Sequence, residues 1–150
     1  MTDKSPQISQ DEFEFYLNNH LRLAEVEKTL ATTSGEITGA LDSQQAVSSP
    51  VHYSTMKSLL DDNWLFNILR GLKNKLQSGD GSSPRLLRLK SLVVDTMQFI
   101  ETSYPNRESR YNVLSAGKLR ERLIIISNAI GDIRSLAETR LISLIEENDK

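Results

Sequence analysis

An all-α fold, an elongated bundle of about four main helices, is what this sequence predicts, and three observations carry the prediction. First, Leu119, Leu123, Ile126, Ile130, Ile133, Ala137 and Leu144 follow one another at alternating steps of four and three, interrupted only by Arg140. That spacing keeps one side of a helix against a single partner, as in a bundle or coiled coil. Second, three further segments carry stripes of the same period, each closed by a capping, proline or glycine signal. Third, hydrophobic content is 38% and aromatic content 6%, which suits long, thin helices better than a sheet-based fold with a thick core.

The chain of 150 residues is expected to be one domain, residues 9–147, preceded by a polar and disordered stretch 1–8. The first helix spans about 9–41. Ser9 and Glu12 form a capping box at its start, hydroxyl and carboxylate each satisfying a free amide. Phe13, Leu17, Leu21, Ala24 and Ala31 make one apolar row, and Tyr16, Leu23, Leu30 and Ile37 make a second spaced by sevens. The second row crosses Thr32-Thr33-Ser34-Gly35, where poor propensity costs ~2–3 kcal/mol relative to alanine. From Asp42 to Tyr53 the glutamines, serines and Pro50 read as a linker.

The second helix, 54–77, is expected to break near 61–63. Met56, Leu59 and Leu60 point about 180° away from Leu65, Ile68, Leu69, Leu72 and Leu76, so one straight helix cannot bury both sets. Asp62 is a candidate N-cap for the second part, and Trp64 and Phe66 are expected to pack the corner. Ser78-Gly79-Asp80-Gly81-Ser82 is the clearest loop. Ser83 and Pro84 then open a helix over 84–103 as N-cap and first residue. Leu86, Leu89, Val93, Met97, Ile100 and Tyr104 form its buried stripe, and Pro105 ends it. Arg85, Arg88, Leu92, Asp95 and Phe99 line roughly the opposite side, which is expected to be partly covered. The last helix, 116–147, has Ser115 as its expected cap and a second row of Ile125, Ala129 and Leu136, which calls for two neighbours.

The motif search excludes more than it finds. With no cysteine and only His20 and His52, no metal constellation can be assembled, and no metal or cofactor is expected. His20 reads as a boundary histidine within its helix, and His52 falls in the linker. Asp61 and Asp62 are adjacent, so on a helix they do not face each other for acid–base work. No Walker loop, dinucleotide fingerprint, calcium loop or nucleophile motif is present, and the chain is not expected to be an enzyme. No apolar run opens the sequence and none is long enough to span a bilayer, so a cytoplasmic or otherwise intracellular protein with no membrane partner is expected.

Charge is what remains to be explained. The net value of −2 conceals an acidic first third and a basic middle. Lys73 and Lys75 near a helix C-terminus complement its dipole, whereas Arg85 and Arg88 in the first turns of the next helix oppose it. Either acids elsewhere in the fold offset the two arginines, or Lys73, Lys75, Arg85 and Arg88 form an anionic-partner contact at the end of a helical hairpin. The leading expectation is a non-enzymatic interaction or assembly subunit that binds protein partners, a second copy of itself among them. Its candidate interface is the helix faces carrying Tyr16, Leu23, Leu30, Ile37, Leu92 and Phe99. The alternative is a nucleic-acid-associated accessory subunit that uses the basic hairpin end.

Overall fold

The computed structural model describes residues 7–43, 50–77 and 83–148. They form α1 (Gln10–Ser43), α2 (Pro50–Leu60), α3 (Trp64–Gln77), α4 (Pro84–Ser103) and α5 (Val113–Asn148), with 3-10 turns at Asp61–Asn63 and Glu108–Tyr111. No strand occurs among the described residues, so the protein is all-α, and α2 and α3 are the two parts of the helix expected to break. The first six residues and the loop 78–82 lie outside the described residues. So does the part of the expected linker at 44–49.

Side-chain contacts give the helix directions. Phe13 meets Arg140 and Glu27 meets Arg134, so α1 and α5 run antiparallel. Asp95 and Phe99 of α4 meet Arg122 of α5, and Glu12 of α1 meets Ser83 and Arg85 at the start of α4. Gly71 of α3 lies against Arg22 of α1. The bundle therefore runs up, down, up and down, with α2 and α3 together as its second member. At 1.5 Å per residue, α1 and α5 are each about 50 Å long and set the length of the molecule.

The α5 seam is buried as its spacing predicts, from Leu119 through Leu123, Ile126, Ile130 and Ile133 to Ala137. On α1 the two apolar rows exchange roles. Tyr16, Leu23, Leu30 and Ile37 lie inside the chain's own core, while Leu17 and Leu21 are exposed, as are Ala24 and Ala31. The sevenfold row wins because it repeats in phase with the α5 seam over the full length of the contact. Packing also carries α1 through the weak Thr32–Gly35 stretch, where Thr33 and Ser34 are buried and the Ser34 hydroxyl donates to the Ala31 carbonyl at 2.8 Å.

Several boundaries move. Pro50 is the first residue of α2, a position where its missing N–H costs nothing, so His52 and Tyr53 are helical rather than part of a linker. The cap of α5 is Asn112, whose side-chain oxygen accepts from the Ser115 amide at 3.1 Å; Ser115 itself lies buried in the first turn. Ile8 packs against the core, so the part of the expected disordered stretch that is described is anchored. Trp64 is exposed, and only Phe66 of the expected corner pair packs on the core.

The break between α2 and α3 falls where the two apolar sets change phase. Asp62 and Asn63 both adopt φ of 56°, the left-handed region that Asp and Asn tolerate better than most residues. Two such residues in succession rotate the following helix, so that Met56 and Leu59 before the break and Leu65, Leu69, Leu72 and Leu76 after it are all buried in one core.

Candidate functional site

At the lower end of the bundle the N-termini of α1 and α4 meet. Ser83 caps α4 with an extended backbone, its hydroxyl accepting from the Leu86 amide at 3.4 Å. That hydroxyl also donates to Glu12, which is buried in the first turn of α1. Glu12 further accepts from the Ser9 amide at 2.9 Å, which is the capping box, and from the Arg85 guanidinium at 3.0 Å. Burial pushes the Glu12 carboxyl up, but the bonds from Ser83, Ser9 and Arg85 outweigh it and hold the group below the usual carboxylate range. A second bond from Arg85 reaches the Gln7 carbonyl at 3.2 Å. The acid that offsets Arg85 is therefore Glu12. Glu27, farther up α1, is engaged by a two-bond fork from Arg134 at 2.8 and 3.0 Å.

The four basic residues differ in their surroundings. Arg85 is paired, and Arg88, one turn later, is exposed with no ion pair to a described residue. Lys75 lines a recess of about 290 Å³ with His20, Leu21 and Arg22 of α1. Lys73 is half-buried and, two residues away on the same helix, points to the opposite side. The glycine-rich loop that joins the two pairs lies outside the described residues.

Of the candidate interface residues, Tyr16, Leu23, Leu30 and Ile37 are consumed by the core. Leu92 and Phe99 are half-buried at the boundary of α4 with α5, where the Arg122 guanidinium sits 4.4 Å from the Phe99 ring centroid. The exposed apolar surface lies elsewhere. On α5 the stripe continues beyond Ala137, the last fully buried member, to Leu141 and Leu144. Leu141 is half-buried, and Ile142, Leu144 and Ile145 are 56%, 39% and 59% exposed. This end lies past the contact of Arg140 with Gln10 and Phe13 at the start of α1. It carries Glu146 and Glu147 and has no basic residue in its last turn.

The upper end is held by polar and aromatic contacts that sequence spacing does not reveal. Tyr53 of α2 stacks on Tyr111 at 4.5 Å between centroids, and the Arg107 Nε donates to the Tyr53 hydroxyl at 2.6 Å. Asp61 binds Arg110 at 2.8 Å and also Lys57. His52 is fully buried here, and among the described residues neither ring nitrogen makes a well-formed hydrogen bond. Burial lowers its pKa, against a smaller opposing contribution from the Arg110 backbone. His20, by contrast, is exposed and contacts the Leu17 carbonyl at 3.1 Å. Pro50 and the serines before it make 42–53 look like a linker, which hid His52; an apolar residue four positions on, Met56, was the available signal.

Among the described residues no three His, Cys, Asp or Glu side chains gather as metal ligands, and no helix is long and apolar enough to cross a membrane. No family model matches the chain, and neither a curated protein nor a solved structure matches it at a significant level.

Proposed function

We propose that this chain is a non-enzymatic interaction subunit that binds a helical protein partner, a second copy of itself in the simplest case, through the C-terminal end of α5. The observation that carries this reading is the continuation of the apolar stripe past Leu141, which still packs against the core, to the exposed Leu144 and Ile145. Exposed leucine and isoleucine side chains at helical spacing favour a partner helix with a matching stripe.

The test is solution mass over a concentration series, on the native chain and on a Leu144→Asp/Ile145→Asp double variant. The expected result is a mass above the 16.9 kDa monomer for the native chain. The double variant should revert to the monomer with its helical content unchanged, because the altered side chains are outside the core, and its melting temperature should no longer depend on concentration. A native chain that stays monomeric at every concentration would overturn the self-association form of this reading.

The nucleic-acid alternative draws less support, since Arg85 is committed to Glu12. Arg88 is the variant that tests it without touching the fold. If Arg88 contacts a phosphate, Arg88→Gln reduces the slope of log affinity on log salt by about 0.9. No detectable binding by the native chain at low salt ends that alternative.

A further inference from the structure

A cleft lies between α3 and the end of α4, closed above by the Glu108–Tyr111 turn. Its volume is about 390 Å³, within the range of small-molecule sites. Five successive elements wall it: Leu60 from α2, Asn63 from the helix break, Phe66 and Arg70 from α3, Ile100, Glu101 and Tyr104 from α4 and its end, and Arg110 from the turn. Asn63 brings the helix break into one wall, and its left-handed backbone is the turn that carries α3 into the core. The Arg70 guanidinium rests 5.0 Å from the Phe66 ring centroid, which fixes it without an acid, and it forms no ion pair with a described residue.

The charges set the class of ligand. Arg110 gives one nitrogen to Asp61, at 2.8 Å, and Asp61 is shared with Lys57. Among the residues that line the cleft, Arg70 and Arg110 against Glu101 leave one positive charge in excess. The apolar wall is supplied by Phe66 and Ile100. We propose that this cleft binds a small organic monocarboxylate, its carboxylate taken by Arg70 and Arg110 and its apolar body laid against Phe66 and Ile100. Arginine suits this role because its planar donors match a carboxylate. Glu101 disfavours a second negative charge on the ligand, so monocarboxylates are preferred over dicarboxylates.

The experiment is a titration of the full chain with phenylacetate, and in parallel with uncharged phenylacetamide, followed by amide and side-chain nuclear magnetic resonance. The expected result is saturable shifts at Asn63, Arg70 and Arg110 with the acid and none with the amide. Arg70→Gln should weaken binding about tenfold, and Glu101→Gln should tighten it several-fold. Lys118→Gln, on exposed α5 surface, should change nothing. Should Arg70→Gln lower the melting temperature, Arg70→Lys takes its place, retaining charge but losing the planar fork. Absence of saturation below about 10 mM, equal response to acid and amide, or unchanged affinity in the Arg70 variant would each overturn the proposal.

Discussion

Arg85 and Glu12, 73 positions apart in the chain, form an ion pair at 3.0 Å that joins the first turns of α4 and α1. The pair answers the charge problem posed by an arginine at a helix N-terminus: Glu12 favours the dipole of its own helix and neutralises the residue that opposes the other. Removing Arg85 leaves a buried carboxylate with two partners instead of three. Arg85→Gln is therefore expected to lower stability by about 1–2 kcal/mol, since its side chain is partly exposed. Urea unfolding measures it. An unchanged or raised midpoint would show that the pair contributes nothing.

Glu12 also predicts an acid limb. Its carboxyl titrates below the ordinary value in the folded chain, so the unfolded state takes up its proton first as pH falls. Stability from this group is full above the unfolded value, near 4.5, and is lost as pH falls through the folded one. Glu12→Gln should flatten that limb in unfolding curves recorded between about pH 5 and pH 3.

His52 acts at higher pH. Its folded pKa is depressed by burial, so the neutral ring contributes fully above the unfolded value of 6.5, and stability declines as pH falls below it toward the folded value. His52→Leu replaces a buried, poorly hydrogen-bonded imidazole with an apolar side chain. It is expected to stabilise the chain by about 1–2 kcal/mol near pH 5.5, and by less at pH 8. Equal effects at both pH values would reject the histidine as the source.

Backbone strain at the break gives a fourth test. Asp62 lies at φ 56° with its side chain exposed, so Asp62→Gly should raise stability by about 0.5–1 kcal/mol. Asp62→Val should lower it by more than that gain, because a β-branched residue is poorly tolerated there. Thermal melts of the two variants should move in opposite directions.

The helical glycines separate into two kinds. A Cβ at Gly35 or Gly39 meets nothing within 4 Å, so Gly→Ala at either site should stabilise α1 by about 0.5–1 kcal/mol. A Cβ at Gly131 would stand 3.0 Å from the Glu27 carboxylate and press on its fork with Arg134. Gly131→Ala should gain little or lose stability, as read from the same melts.

Much of the fold was legible because helical periodicity is a local property. The α5 seam, the α4 stripe, the Ser9–Glu12 box, the Ser83–Pro84 start and the break at 61–63 all depend on residues within two turns of one another. Local spacing told that Met56 and Leu65 could not share one straight helix, and the bundle bears this out with two left-handed residues. What spacing cannot tell is which of two rows on one helix faces the partner. Leu17–Leu21 and Tyr16–Leu23–Leu30–Ile37 are both apolar, and only the fit to the α5 seam buries the second. Nor can it pair charges across the chain. Glu12 finds Arg85, Glu27 finds Arg134 and Asp61 finds Arg110 because the antiparallel order brings distant turns to one level, and that order is a property of the packed bundle alone.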